Sequence, residues 1–382
     1  MPLMHISTSL LLAFFVAGTS ASYGDFDIPP SSATVDVRVF NVGDLTIDNS
    51  AIFSALEPML PGHDALVNTA FSFLVEHKQK HFMFDLGMRN DSNFVPALEA
   101  AFAAGLFQFD APKDITGLLE GGGIPLSSIE AVIWSHAHFD HIGDMSKFPN
   151  TTGLIIGAET NTSTFPEFPA ATLRASDFAG HNITKIDFST AKLTFGGMKA
   201  VDFFGDGSFY LLNAPGHLGG HMAALARVTP TSFVILAGDT FHHAGVARPS
   251  PQFQKNFPCP AHLLEEAKSA ISTDFFWSSG SRVGAFDVPS RTHAFFTISD
   301  LPTSGYIDPP TADVSLEKLT GFDADADFFL IASHDLSLKD SLPYFPAYLN
   351  DWQKSQLKQN TVWNFVDPAN PAFRLSPTNQ TA

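Results

Sequence analysis

The run Ser135-His-Ala-His-Phe-Asp-His141 holds three imidazoles and a carboxylate. Nitrogen and oxygen donors of this kind suit a borderline divalent cation such as zinc. His136 and His138 lie two apart, so an extended backbone turns both rings to one side. Asp140 and His141 are adjacent and diverge, which lets them serve a second, neighbouring cation. Gly143 lets the chain turn beneath the cluster. The competing reading, a polar loop with incidental histidines, does not explain why the cluster directly follows the apolar run Ala131-Val-Ile-Trp134.

The same arrangement recurs along the chain. Ser208 to Ala214 reads as an apolar strand ending at Pro215-Gly-His217, and Ser232 to Ala237 as a buried strand ending at Gly238-Asp239. Asp327 to Ala332 is a third, ending at Ser333-His334. Strand ends gather at one edge of a sheet, so ligands far apart in sequence converge there. Val35 to Val42 alternates as a half-buried strand. Asn68 to Val75 and His81 to Gly87 read as consecutive strands around the polar turn Glu76 to Lys80. Asp85 ends the second of them and faces either the cluster or a simple turn. Helical spacing runs through 95–109, a second helix starts in Pro112 to Leu119, and a C-terminal helix is expected in Ser337 to Gln359 after Pro346. The stretch 150–185, rich in Thr, Asn and Pro, is expected to be exposed.

With 382 residues the chain has ample length for a core, and its 38 phenylalanines supply that core and a candidate Phe-lined pocket. The net charge of −18 argues against a nucleic-acid or anionic-membrane surface. A single cysteine, Cys259, excludes an intramolecular disulfide and a cysteine-based zinc site. The apolar run Leu10 to Ala17, followed by small residues, reads as a signal peptide over 1–21, although no Lys or Arg precedes it. With N-glycan sequons at Asn90, Asn150, Asn161, Asn182 and Asn379, it predicts a secreted glycoprotein. No stretch resembles a membrane span. The expected organisation is an extended arm over 22–34, one catalytic domain over 35–366 and a flexible tail over 367–382. Residues 240–333 include an insertion that builds either a lid or pocket wall with Phe275, Phe276, Trp277 and Phe286 or an ordinary packed excursion.

Taken together, Ser135-His-Ala-His-Phe-Asp-His141, Pro215-Gly-His217, Gly238-Asp239-Thr and Ser333-His334, in this order, resemble the metallo-β-lactamase superfamily. The resemblance is nearest to its lactonase-like branch, the acyl-homoserine-lactone hydrolases, and spans about residues 35–350. It implies an αββα sandwich with metals at one sheet edge. It implies a first metal at His136, His138 and His217, a second at Asp140, His141 and His334, and Asp239 bridging the two Zn²⁺ ions with a shared hydroxide. Asp85 and His221 would support the ligands from outside. The branch often carries a tyrosine where this chain has His242, so His242 is the candidate donor or proton source toward the substrate, against a solvent-facing histidine.

The leading expectation is a secreted binuclear zinc hydrolase that opens a lactone or cleaves a related ester. A glyoxalase-II-like thioesterase is weakened by the scarcity of basic residues near the motifs. A β-lactam hydrolase fits the ligand set less well, and the acidic charge disfavours phosphodiesters. An iron-dependent oxidoreductase of the same fold, such as a persulfide dioxygenase, would use one metal and leave Asp140 and His141 idle. A non-enzymatic binding protein would lack ligands, and none is missing.

Overall fold

The computed structural model describes residues 22–48, 54–91, 93–271 and 292–377. The apolar leader, the Asn379 sequon and the aromatic residues Phe275, Phe276, Trp277 and Phe286 lie outside them. Two mixed sheets face each other. Their strands in chain order are β1 (Asp36–Asp48), β2 (Leu56–Glu57), β3 (Ala65–His77), β4 (Lys80–Phe84), β5 (Phe107–Asp110), β6 (Ile129–Ile133), β7 (Gly153–Gly157), β8 (Thr164–Phe165) and β9 (Leu173–Arg174). The second half adds β10 (Ile183–Ile186), β11 (Leu193–Phe195), β12 (Met198–Asp202), β13 (Phe209–Asn213), β14 (Met222–Thr229), β15 (Ser232–Leu236), β16 (Thr297–Ile298) and β17 (Phe328–Ile331). One sheet runs β10-β7-β6-β4-β3-β1-β5 and the other β11-β12-β13-β14-β15-β17. The short strands form two separate pairs, β16-β2 and β8-β9.

Alternation explains the layering. Ala131 and Ile133 of β6 enter the core between the sheets, while Val132 joins an outer layer with Ile115 and Leu119 of the helix Ile115–Gly121. On the far side, Leu316, Leu319 and Phe322 of the helix Pro309–Asp323 pack into the main core with β17. This is the expected αββα arrangement. Neighbours β6 and β4 are parallel, as are β15 and β17. Their C-terminal ends, with that of β13, lie at one edge, where Met222 N–H donates to Ser135 C=O and Phe71 N–H to Ser333 C=O across the sheets. No helix among the described residues is long and apolar enough to cross a membrane.

Five expectations are corrected. The stretch 150–185 is not exposed throughout, because β7 lies inside the first sheet with Leu154, Ile155 and Ile156 buried. The helix expected over 95–109 stops at Ala103; Gly105, at φ +77°, reverses the chain into β5, which pairs with β1. Residues 337–359 form no long helix. Phe345 N–H and Leu349 N–H instead donate to Val39 C=O and Val37 C=O, covering an edge of β1 that would otherwise be unpaired. The arm opens with a 3-10 turn, Ser22–Phe26, whose Phe26 stacks on Phe322 at 4.4 Å. Residues 367–377 are packed rather than loose: Ala372 and Leu375 are buried, and Arg374 donates to the carbonyls of His63 and Ala65.

Candidate metal centre

Five strand ends deliver the polar groups. β6 leads into His136 and His138, β13 into His217, β15 into Asp239 and β17 into His334, while β4 ends at Asp85. The one-turn helix Phe139–Ile142 carries Asp140 and His141. Two constellations result, His136/His138/His217/Asp239 and Asp140/His141/His334, each with donor atoms within 4.8 Å of one another. In the first, His138 Nδ1 lies 2.9 Å from His136 Nε2 and 3.0 Å from His217 Nε2. In the second, His334 Nε2 lies 3.3 Å from His141 Nε2 and 3.3 Å from Asp140 Oδ2. Asp239 joins them: one oxygen is 3.0 Å from His141 Nε2, the other 3.3 Å from His217 Nε2 and 3.2 Å from His334 Nε2.

The donor chemistry fits divalent cations. Burial holds His136 and His217 well below the usual imidazole value and His138 down at about 4, so the first trio is uncharged near neutral pH. Neutral imidazole nitrogens 2.9–3.2 Å apart can share a hydrogen with one another, and a cation placed among the three would take their lone pairs instead. The second trio differs. Burial opposes charge on His334 and His141, but Asp239 with Asp140, and for His141 also Asp85, outweighs it; His334 rises to about 10 and His141 rises well above its ordinary value.

These opposite directions make a prediction. In the metal-free protein near neutral pH the first trio carries no proton to displace, whereas His141 and His334 are protonated. A raised value means the proton is held until the pH passes it, so affinity for the second ion should rise with pH, about tenfold per unit for each proton released. Calorimetric zinc titration in buffers of different ionisation enthalpy should find essentially no proton released with the first ion and up to two with the second. Equal release in both steps would contradict the asymmetry.

The remaining ring nitrogens fix the orientations. His141 Nδ1–H donates to Asp85 at 2.8 Å, and Asp85 also accepts from Ser135 N–H at 2.6 Å and its hydroxyl at 2.8 Å. Asp85 holds φ at +58°, a backbone state uncommon outside glycine and maintained here by three hydrogen bonds. His334 Nδ1–H donates to Thr69 C=O at 2.7 Å. His221 is engaged at both nitrogens: Nε2 accepts from Asp239 N–H at 3.0 Å, so Nδ1–H donates to Ala214 C=O at 2.7 Å. It therefore braces Asp239 and has no lone pair to offer a metal. His243 is likewise spent, accepting from Gly245 N–H and donating to Ala372 C=O.

His242 is buried, not solvent-facing, with Nε2 3.2 Å from Asp239 Oδ2. Its Nδ1 lies 2.8 Å from the hydroxyl of Tyr306, which also packs edge-on against His217 at 4.9 Å. Sequence reasoning missed Tyr306. It belongs to none of the strand-end motifs and arrives from a loop distant from every one of them. Beside the centre is a cavity of about 180 Å³, walled by Leu45, Ile47, Leu98, Phe107 and Phe139 and floored by His138, Asp140, His217, Asp239 and His242.

The family model described as Metallo-beta-lactamase superfamily matches residues 65–276. The chain belongs to the metallo-beta-lactamase superfamily. It is 36% identical over 356 residues to metallo-hydrolase mfmC of Annulohypoxylon moriforme, covering 91% of this chain and 90% of that protein. It is 35% identical over 362 residues to gamma-lactamase FDB1 of Fusarium pseudograminearum, covering 90% of this chain and 84% of that protein. Against cytochrome P450 monooxygenase mpaDE of Penicillium roqueforti it is 37% identical over 351 residues, 89% of this chain, but it spans only 38% of that relative's length. A structure of AiiA from B. thuringiensis with N-decanoyl-L-homoserine bound shares the fold, at 17% identity, 83% of this chain, 99% of that chain and a TM-score of 0.50. Among the described residues, the His and Asp donor set at the strand ends is one that could hold divalent ions.

Proposed function

We propose that the protein opens the ring of a small apolar lactone, using two divalent ions, most readily zinc. His136, His138 and His217 would hold one ion, Asp140, His141 and His334 the other, and Asp239 both. The observation that carries this reading is the convergence of both trios on Asp239 at the floor of an apolar cavity. When bound, the ion pair supplies a water acidified to neutral pH and polarises the ester carbonyl. Asp140 and Asp239 offset the charge of two dications. Leu45, Ile47, Leu98, Phe107 and Phe139 take the apolar part of the substrate and exclude bulk water, which strengthens every electrostatic contact in the site. His242, beside Asp239, is placed to donate a hydrogen bond to the oxygen freed on ring opening. No serine or cysteine nucleophile is required, and Cys259 lies outside the site.

A γ-lactam is the second reading, favoured by the likeness to gamma-lactamase FDB1. The test is elemental analysis of the purified protein together with hydrolysis of an alkyl-substituted γ-lactone, the matching γ-lactam, a thioester and a cephalosporin. Close to two zinc ions per chain with lactone turnover is expected, improving as the alkyl group lengthens to fill the cavity. Preference for the lactam would select the second reading. One iron ion per chain with no hydrolysis would overturn both and favour the oxidoreductase alternative.

A further inference from the structure

We propose that Tyr306 is a positioning residue that fixes His242 as the tautomer with its hydrogen on Nε2, making His242 an N–H donor facing the site rather than a further metal ligand. Tyr306 is buried, and among the described residues the one hydrogen-bond partner of its hydroxyl is His242 Nδ1, at 2.8 Å. A phenol carries one hydrogen, and leaving it unpaired in the interior is costly. The hydroxyl therefore donates, and Nδ1 accepts. In a neutral imidazole whose Nδ1 accepts, the hydrogen resides on Nε2. That nitrogen faces Asp239 Oδ2 at 3.2 Å, an acceptor with no hydrogen of its own. The two ends of the ring independently require the same tautomer.

The alternative is real in the geometry. Asp239, His242 and His334 also have donor atoms within 4.8 Å of one another, so a His242 free to place its hydrogen on Nδ1 could turn a lone pair toward a cation. Tyr306 removes that option and is itself held in place. Its own N–H donates to Ser304 Oγ at 3.0 Å, and the next two residues are tied to the His217 loop, Ile307 N–H donating to His217 C=O and Asp308 N–H to Gly216 C=O. The consequence, which rests on the proposed ring-opening hydrolysis, is a preorganised donor beside Asp239 for the oxygen that gains charge as the ring opens.

Two-bond proton–nitrogen NMR spectra of the imidazoles in zinc-loaded protein test this directly. The His242 signals are assigned by their disappearance in His242→Gln. The expected wild-type pattern is a protonated Nε2 and an unprotonated Nδ1, lost in Tyr306→Phe. With cobalt in place of zinc, Tyr306→Phe should weaken the visible absorption, as an added ligand raises the coordination number. Its kcat should fall by roughly 10- to 100-fold with KM little changed, at or below the lower end of what losing one preorganised donor costs. His242→Gln, which retains an N–H, should keep more activity than His242→Leu. A wild-type ring protonated on Nδ1, protonated on both nitrogens or bound to zinc through Nε2 would overturn the proposal, as would an unchanged tautomer in Tyr306→Phe. The spectra read the ring without turnover, so they remain decisive even if lactones prove not to be substrates.

Discussion

Replacing Asp239 with asparagine should lower kcat/KM by roughly 10³-fold or more, beyond the 10- to 100-fold typical of losing a partner that merely orients a ligand. It should also reduce zinc content from about two ions per chain toward one. The two side chains have nearly the same volume, so packing is preserved and the loss is electrostatic. Asp239 is buried and lies within 3.0–3.7 Å of the Nε2 atoms of His136, His141, His217, His242 and His334. Burial works against its charge, but the imidazoles around it, His141 foremost, hold its carboxyl well below the ordinary range, so it is ionised at any working pH. An amide in its place keeps one oxygen and turns an N–H toward donors, inverting one of the contacts that joins the trios. A threefold effect with two zinc ions retained would mean that the ions are held without Asp239. Atomic emission spectrometry and steady-state kinetics on the same preparation separate these outcomes.

How much of this was legible in the sequence follows from what kind of signal each part carries. His136, His138, Asp140 and His141 were readable because ligand spacing is local, and His217, Asp239 and His334 because each ends a strand whose apolar run is itself distinctive. Asp85 was visible as a strand-end carboxylate, but its contact with His141 depends on β4 and β6 being neighbours, a fact of pairing rather than of either strand. β14 went unnoticed because Ala223, Ala224 and Ala226 fill it with a residue that favours helix as readily as strand, and only its seat between β13 and β15 decides the matter. The C-terminal segment showed the reverse failure. Its aromatic residues suggested a helix, yet the open edge of β1 took its backbone donors instead. Tyr306 had no local signature, because its meaning arises only where its loop crosses the end of β13.

Substituting Gly216 with alanine should destabilise the fold by roughly 2–6 kcal/mol, the sum of about 1–3 for backbone strain and about 1–3 for overpacking. In the Pro215-Gly-His217 turn Gly216 holds φ at +122°, which side chains other than glycine rarely adopt. A Cβ built there would sit 2.2 Å from Ala312 N and 2.4 Å from Ala312 Cα, and backbone atoms in the first turn of a helix cannot swing aside as a flexible side chain would. The helix Pro309–Asp323 is seated directly on this turn: Asp308 N–H donates to Gly216 C=O at 3.0 Å and Ser315 Oγ–H to Pro215 C=O at 2.7 Å. Glycine is thus the residue that lets a helix N-terminus touch the strand end carrying His217. Relief of the clash must move either the helix or His217, so affinity for the first ion should fall along with Tm, the latter by about 2–8 °C. Gly321→Ala is the matched control, because its nearest neighbour is a Phe26 ring carbon at 4.0 Å and its position is helical. That variant should be neutral or more stable by about 0.4–1 kcal/mol, since alanine restricts the unfolded chain. If calorimetry finds the two variants alike, the close approach at Gly216 does not constrain the protein, and the position of His217 must be set by the sheet alone.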